Sequence, residues 1–300
     1  MLSLALVLAQ MLVGIFAGFF GALLGFGGGV FIVPILTLYL GVPIHQAIAS
    51  SIVSVIATSN AGGSSYVEQR ITNVRLAVFL EVCTTAGALT GSLLALFVSG
   101  GFLFLAFSLL LAYLAVAAFR TRRLDEARLA RNVYADAAPK GLARWLDIRG
   151  SYFDQAEAAT VDYRVAQAGA GSLLSYIAGV GSGLLGIGGG VVKVTAMNLY
   201  MNVPVKAAIG TSKFMIGVTA ATSALVFLAS GILDPFTAAP ICIGTTLGAT
   251  VGTWAMNRLN SRTLKLSLTV LMAYLGYAMA AQGLALYLGL HLPTLSVGGP

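Results

Sequence analysis

The stretch Gly25-Phe26-Gly27-Gly28-Gly29 occurs twice, returning as Gly186-Ile187-Gly188-Gly189-Gly190. The copies lie 161 positions apart, and at that offset the chain matches itself without a gap from Ala17/Ala178 to about Ala117/Ala278. Across residues 17–60 against 178–221, 18 of 44 pairs are identical, which a chance alignment does not give. Thr84-Thr85/Thr245-Thr246, Gly87/Gly248 and Gly91/Gly252 continue the match. The chain is therefore a duplication, and a repeat of this length decides the architecture before any local reading does.

Composition sets the solvent. Of 300 residues, 58% are hydrophobic and only 9% charged, with a mean hydropathy of +0.92. Soluble domains carry roughly a quarter charged residues, so the sequence predicts an all-α integral membrane protein. Residues 120–166 hold 9 of the 17 Lys and Arg and 7 of the 10 Asp and Glu. The net charge of +7 is thus loop charge, not a nucleic-acid footprint. The start, Met1-Leu-Ser-Leu-Ala-Leu-Val, has no basic region and reads as a mature membrane segment rather than a signal peptide.

Apolar segments divide the chain into an N-terminal membrane repeat (1–119), a polar insert (120–166), a C-terminal membrane repeat (167–290) and a tail (291–300), with about 8–10 membrane segments. The segment after each glycine run has only about 12–13 residues. At about 1.5 Å per residue that is about 20 Å, short of the roughly 30 Å hydrocarbon layer. Three adjacent glycines cost a helix interior roughly 1 kcal/mol each. Each run is therefore expected to break a helix and to tip a hairpin inside the membrane. Non-helical backbone survives at that depth only against protein or a wet cavity.

Orientation follows from the cations. Arg70, Arg75 and Arg120–Arg123 flank the first-half loops, whereas Ser99-Gly100-Gly101 carries no charge. In the second half, the loop matching Arg70/Arg75 has no cation, and the loop matching Ser99–Gly101 carries Arg258, Arg262 and Lys265. By the positive-inside rule the two repeats are inverted relative to each other. Each then crosses an odd number of times, as five spans or as three spans plus a re-entrant hairpin. Both options put 120–166 in the cytoplasm and both termini outside. Within the insert, a charged helix is expected near Thr121–Arg131, and Arg149–Asp154 and Thr160–Val165 alternate as paired strands would. The insert reads as a connector first, and as a lid or regulatory element second.

Inverted repeats with broken helices near the midplane are the layout of secondary transporters. Each glycine run opens a helix whose free N–H groups and positive dipole end suit an anion. Gly25, Gly27, Gly28 and Gly29, with Gly186, Gly188, Gly189 and Gly190, are the expected backbone donors. Ser51, Asn60, Thr211 and Ser212 offer neutral hydrogen bonds, although Ser and Thr at such positions also serve interhelical packing. Lys193 and Lys213 align with Ile32 and Ile52, and their own segments contain no acid. An unpaired intramembrane lysine costs about 2–3 kcal/mol, so a bound anion is the expected partner. The simpler alternative is that both snorkel to the interface. Glu81 is the one acid inside an apolar segment, with proton coupling as its possible use. Small residues at helical spacing, such as Gly14/Gly18 and Gly179/Gly183, need no more than close helix packing. No P-loop, dinucleotide fingerprint or nucleophile–base pair is visible, and Cys83 and Cys242 have no metal or redox spacing. No cofactor, metal or enzymatic activity is expected.

The stretches Gly21-Ala-Leu-Leu-Gly-Phe-Gly-Gly-Gly-Val and Ser182-Gly-Leu-Leu-Gly-Ile-Gly-Gly-Gly-Val resemble the paired signatures of the TauE/SafE family of membrane permeases. Ala49-Ser-Ser and Gly210-Thr-Ser, each following a Val-Pro turn, resemble it too, as do Arg149–Asp154 and Asp162–Val165 of the insert. The similarity covers nearly the whole chain. It implies export of sulfite or short organosulfonates such as sulfoacetate across the plasma membrane, usually of bacteria. One departure is that Pro34, which follows the first glycine run, has Thr195 as its counterpart. The expected partners are a small anion and the lipid bilayer, with a homo-oligomer and the identity of any coupling ion left open. Another small anion, carboxylate or inorganic, or a passive anion channel on the same scaffold, are the alternatives.

Overall fold

Both glycine runs turn the chain through left-handed backbone. Gly27 and Gly28 have φ of 83° and 80°, and their counterparts Gly188 and Gly189 have 73° and 65°. Glycine enters that region without a Cβ penalty, so each run ends one helix and starts another. The computed structural model describes residues 4–24, 27–120, 142–154, 159–256 and 261–289. Gly25, the stretch 121–131, Arg258 and the 291–300 tail lie outside them.

The first repeat forms α1 (Leu4–Leu24), α2 (Gly29–Tyr39), α3 (Ile44–Glu68), α4 (Val74–Phe97) and α5 (Gly100–Arg120). A short α6 (Leu142–Leu146) and two strands, β1 (Arg149–Asp154) and β2 (Ala159–Arg164), follow. The second repeat forms α7 (Ala168–Leu185), α8 (Gly190–Leu199), α9 (Val205–Ala229), α10 (Pro235–Met256) and α11 (Ser261–Leu288). A shift of 161 carries α1–α5 onto α7–α11 in order. The detail repeats as well. Val42 N–H reaches the Leu36 carbonyl at 3.0 Å, and Val203 N–H reaches that of Met197 at 3.0 Å. Asn73 caps α4 by accepting from Leu76 N–H, and its counterpart Asp234 accepts from Phe236 N–H before α10. Pro34 inside α2 and Thr195 inside α8 both leave short helices of 11 and 10 residues.

Packing exchanges the two repeats. α1 lies along α10 and α7 along α4, while α3 pairs with α9 and α5 with α11. The α1–α10 pair thus has its counterpart in α7–α4, and α3 and α5 each meet their own counterparts. Small residues set the approach. A methyl group at Gly18 would drive into the Thr245 carbonyl, and one at Gly179 into that of Thr84, the corresponding atom. The expected close-packing use of these glycines is what the structure contains.

Among the described residues, five helices are long and apolar enough to cross a membrane: Leu4–Ala22, Val74–Phe97, Ala168–Leu185, Val205–Ala229 and Thr269–Leu288. Their outer faces expose apolar side chains such as Val82, Leu225 and Val270, the surface lipid favours. This is an all-helical membrane protein. One core joins α2, α3, α5 and α11 around Phe31, Leu36, Ile48 and Phe107. A second joins the strand pair to the bundle through Tyr152, Tyr163, Leu76, Met201 and Met215.

The expected strand pair forms an antiparallel hairpin with Arg149 opposite Arg164 and Asp154 opposite Ala159. Asp147 ties its open end, reaching Arg149 at 2.7 Å and Arg164 at 2.5 Å. Hydrogen bonds from those guanidinium groups hold the Asp147 carboxyl down at about 2. Asn73 Nδ2 donates to Tyr163 Oη at 3.1 Å and to the Arg149 carbonyl at 3.3 Å. The insert is therefore docked on the helical bundle at the α3–α4 turn, more than the plain connector expected.

Candidate functional site

The two glycine tips touch. A Cβ at Gly29 would run into the Gly186 carbonyl and sit 3.2 Å from the Ile187 Cα. Ser51, on α3, donates to the Gly186 carbonyl at 2.8 Å. Ser212, its counterpart on α9, donates to the Gly190 carbonyl at 3.3 Å. Thr58 donates to the Gly27 carbonyl at 3.0 Å. The helices after the tips begin with N–H groups that no turn precedes, the usual state of a helix start. Phe31 N–H bonds to the Gly28 carbonyl at 3.0 Å, and Lys193 N–H to that of Gly189 at 3.2 Å. Gly27–Gly29, Gly186, Gly188–Gly190, Ser51 and Ser212 thus come together.

Lys213, on α9, stands beside this junction. It is 7% exposed, and its ammonium lies 5.0 Å from the centroid of the Tyr66 ring. Its own carbonyl accepts from Ser59 Oγ at 2.5 Å. Among the described residues no carboxylate pairs with it and no acceptor bonds Nζ. Lys213 lines a small cavity of about 10 Å³, room for about one water, with Gly21, Gly27, Thr58, Ser59 and Ile216. A cation over an aromatic face gains about 2 kcal/mol when desolvated, less than the cost of burying an unpaired charge.

Lys193 stands differently. It is 0% exposed, and its Nζ donates to Thr219 Oγ1 at 2.8 Å. Thr219 Oγ1 in turn lies 2.8 Å from Glu81 Oε1, to which it donates. Thr84 and Thr85 also donate to the Glu81 carboxylate, each at 3.2 Å. The expectation that Lys193 has no acidic neighbour fails, because the acid arrives from α4 rather than from its own segment. Sequence reading set Glu81 apart from the lysines. The departures from the repeat were the available signal, since Glu81 aligns with Cys242 as Lys193 aligns with Ile32.

Two other expected contacts point elsewhere. Thr211 Oγ1 accepts from Asn73 N–H at 3.1 Å, which occupies it at the hairpin-bearing end of the bundle. Asn60 is exposed and lines an open groove between α3 and α9 with Ser59, Glu68, Phe214 and Gly217. The groove and the Lys213 cavity share Ser59. Thr245 and Thr246 donate only to their own helix, at Ile241 and Cys242, so the matched threonine pairs are not equivalent.

A duplicated helical membrane protein, with two broken-helix tips meeting inside it, has the build of a membrane transporter. The chain matches the family model described as "Sulfite exporter TauE/SafE" over residues 10–279, and it belongs to that family. It is similar to the probable membrane transporter protein YunE of Bacillus subtilis (strain 168), with 26% identity over 90% of this chain and 96% of the relative. YdhB of the same organism, also a probable membrane transporter protein, is 24% identical over 87% of this chain and 93% of its own length. A probable membrane transporter protein of Xylella fastidiosa (strain 9a5c) is 27% identical over 81% of this chain and 82% of its own. No solved structure gives a significant match.

Proposed function

We propose that the protein is a secondary transporter that exports small sulfur oxyanions across the plasma membrane by alternating access. Sulfite and short organosulfonates such as sulfoacetate are the substrates. The observation that carries this reading is Lys213, a buried ammonium without a carboxylate partner among the described residues, set in a cavity against the first glycine tip. An anion admitted beside Lys213 when that small cavity opens neutralises the lysine and lies near the first glycine tip, whose following helix start favours negative charge. Ser51 and Ser212 hold the tips in place, while Gly27–Gly29 and Gly188–Gly190 supply backbone donors. The open groove lined by Ser59 and Asn60 shares Ser59 with this cavity and is the proposed way in.

The cation pattern of the loops supports repeats inverted in the membrane, with residues 120–166 in the cytoplasm and both termini outside. In that frame the two-fold exchange of helices supplies two equivalent packings, one for each open state. Inverted repeats that rock about a central site are the common route to alternating access.

Counterflow of labelled sulfoacetate into proteoliposomes tests the reading, with sulfite, taurine, sulfate and acetate as competitors. Saturable uptake blocked by sulfite and sulfonates but not by acetate is the expected result. Uptake blocked equally by acetate would replace the sulfur oxyanion with a carboxylate, and a steady single-channel current would replace the transporter with a channel.

A further inference from the structure

The charge relay from Lys193 through Thr219 to Glu81 is built on one side of a duplicated molecule and absent from the other. The corresponding positions are Ile32, Thr58 and Cys242. There Thr58 donates to backbone carbonyls, those of Gly27 and Val55. The α1–α10 contact is nevertheless made in the same way as α7–α4. The fold is thus completed on one side without the two charges, and packing does not require them on the other.

Charge counting says what they do. Lys213, Lys193 and the Glu81 carboxylate together carry a net charge of +1. Lys213 and Thr219, the hydroxyl that holds Lys193, share α9, and a divalent anion such as sulfoacetate beside Lys213 would bring these groups to −1, at a large electrostatic cost away from water. One proton on Glu81 removes that deficit. Proton and anion then each raise the affinity of the other, as linkage demands.

We propose that Glu81 is the site of a coupling proton, one of which accompanies each divalent anion. This rests on the anion-transport reading above. In the step, Glu81 takes a proton from solution and becomes a neutral carboxylic acid. Lys193 remains an ammonium. The single proton of Thr219 turns from Glu81 to the Met215 carbonyl, already 3.0 Å from its oxygen. Nothing is oxidised or reduced, and the proton leaves with the anion on the far side.

The groups around Glu81 leave Lys193 as its charged partner. On α4 itself, Arg75 lies six residues earlier and Cys83 two residues later. From α7 comes Tyr176, whose hydroxyl meets Thr90, two and a half turns along α4. From α9 comes Lys213, whose ammonium lies over Tyr66. Three hydroxyls around a carboxylate also resemble a sodium site, but here an ammonium already charges the group through Thr219, whose oxygen accepts from Lys193.

The test is titration calorimetry of sulfoacetate onto the full-length protein in detergent, repeated in buffers of different ionisation heat. Wild type is expected to take up about one proton for each sulfoacetate bound, and Glu81→Gln none. Uptake retained by Glu81→Gln overturns the proposal. So does wild-type binding without proton uptake, or binding strengthened by sodium and not by acid. Because the wild-type arms need no variant, they can overturn the proposal even if Glu81→Gln fails to fold, and Glu81→Asp then serves as the second variant, expected to keep the uptake. Absence of any sulfoacetate binding overturns the substrate reading itself, and this proposal with it.

Discussion

The Ser51 hydroxyl donates a 2.8 Å hydrogen bond to the carbonyl of Gly186, 135 residues further along the chain. Ser51 belongs to α3 and Gly186 ends α7, so one buried bond pins the second glycine tip to the first repeat. Removing the donor leaves a buried carbonyl unsatisfied, at a cost of about 1–3 kcal/mol. Ser51→Ala is expected to lower the melting temperature in detergent, while Ser51→Thr retains part of the bond. An unchanged melting temperature in Ser51→Ala would show that the tips are held by packing alone.

Lys213 gives a prediction of opposite sign. A buried lysine without a carboxylate is a cost to the fold, about 2–3 kcal/mol on insertion scales. Lys213→Met keeps the volume and removes the charge. It is expected to raise the melting temperature while reducing anion counterflow at least tenfold. A variant that is less stable and still transports would show that the ammonium serves the fold and not the substrate.

The duplicated packing predicts matched effects. Gly18→Val and Gly179→Val each force side-chain atoms into the backbone of the facing helix, which has nowhere to move. Both should cost more than the roughly 1–3 kcal/mol of ordinary overpacking, and by similar amounts. Gly169→Val is the control, since a Cβ there meets nothing within 4 Å. Fluorescence-detected size exclusion reads the outcome. Loss of the folded peak in one variant and not the other would break the equivalence of the two contacts.

Asp147 sets a pH limit on the docked hairpin. Its carboxyl lies at about 2 because Arg149 and Arg164 favour the ionised form. A group whose value is depressed on folding contributes fully above its unfolded value, near 3.8, and loses that contribution as the pH falls through about 2. Hydrogen exchange of the β1 and β2 amides, corrected for intrinsic rates, should therefore show constant protection from pH 7 to 5. Asp147→Asn should exchange faster across that whole range. Protection already lost at pH 6 would place the controlling group elsewhere.

Much of this was legible in the residues. Three adjacent glycines, twice, fixed the two helix breaks, and the positive φ values at Gly27, Gly28, Gly188 and Gly189 are what such runs exist to permit. Alternation in Arg149–Asp154 and Thr160–Val165 marked the strand pair. The insert's docking was not legible, because Asn73, Tyr163 and Thr211 meet only once three distant segments are in place. Ser51 and Thr211 show the limit for a site. Both sit among small polar residues after a Val-Pro turn, yet one hydroxyl reaches a glycine tip and the other a loop N–H. Helix rotation decides which, and a pattern of polar residues does not encode that rotation. The same holds for Glu81 and Lys193, separated by 112 positions and joined through a third residue.

The exchange of helices between repeats also shapes how the chain must be made. α1 finds its partner in α10, which begins 211 residues after α1 ends. At roughly 5–20 residues per second of synthesis, the first helix waits about 10–40 s for the surface that its glycines are shaped to fit. During that interval lipid or an insertion factor must stand in for α10, and the half-made molecule has no finished wall. Biogenesis of this protein is therefore a late closure. α10 and α11 seal contacts whose other sides, α1 and α5, were laid down earlier.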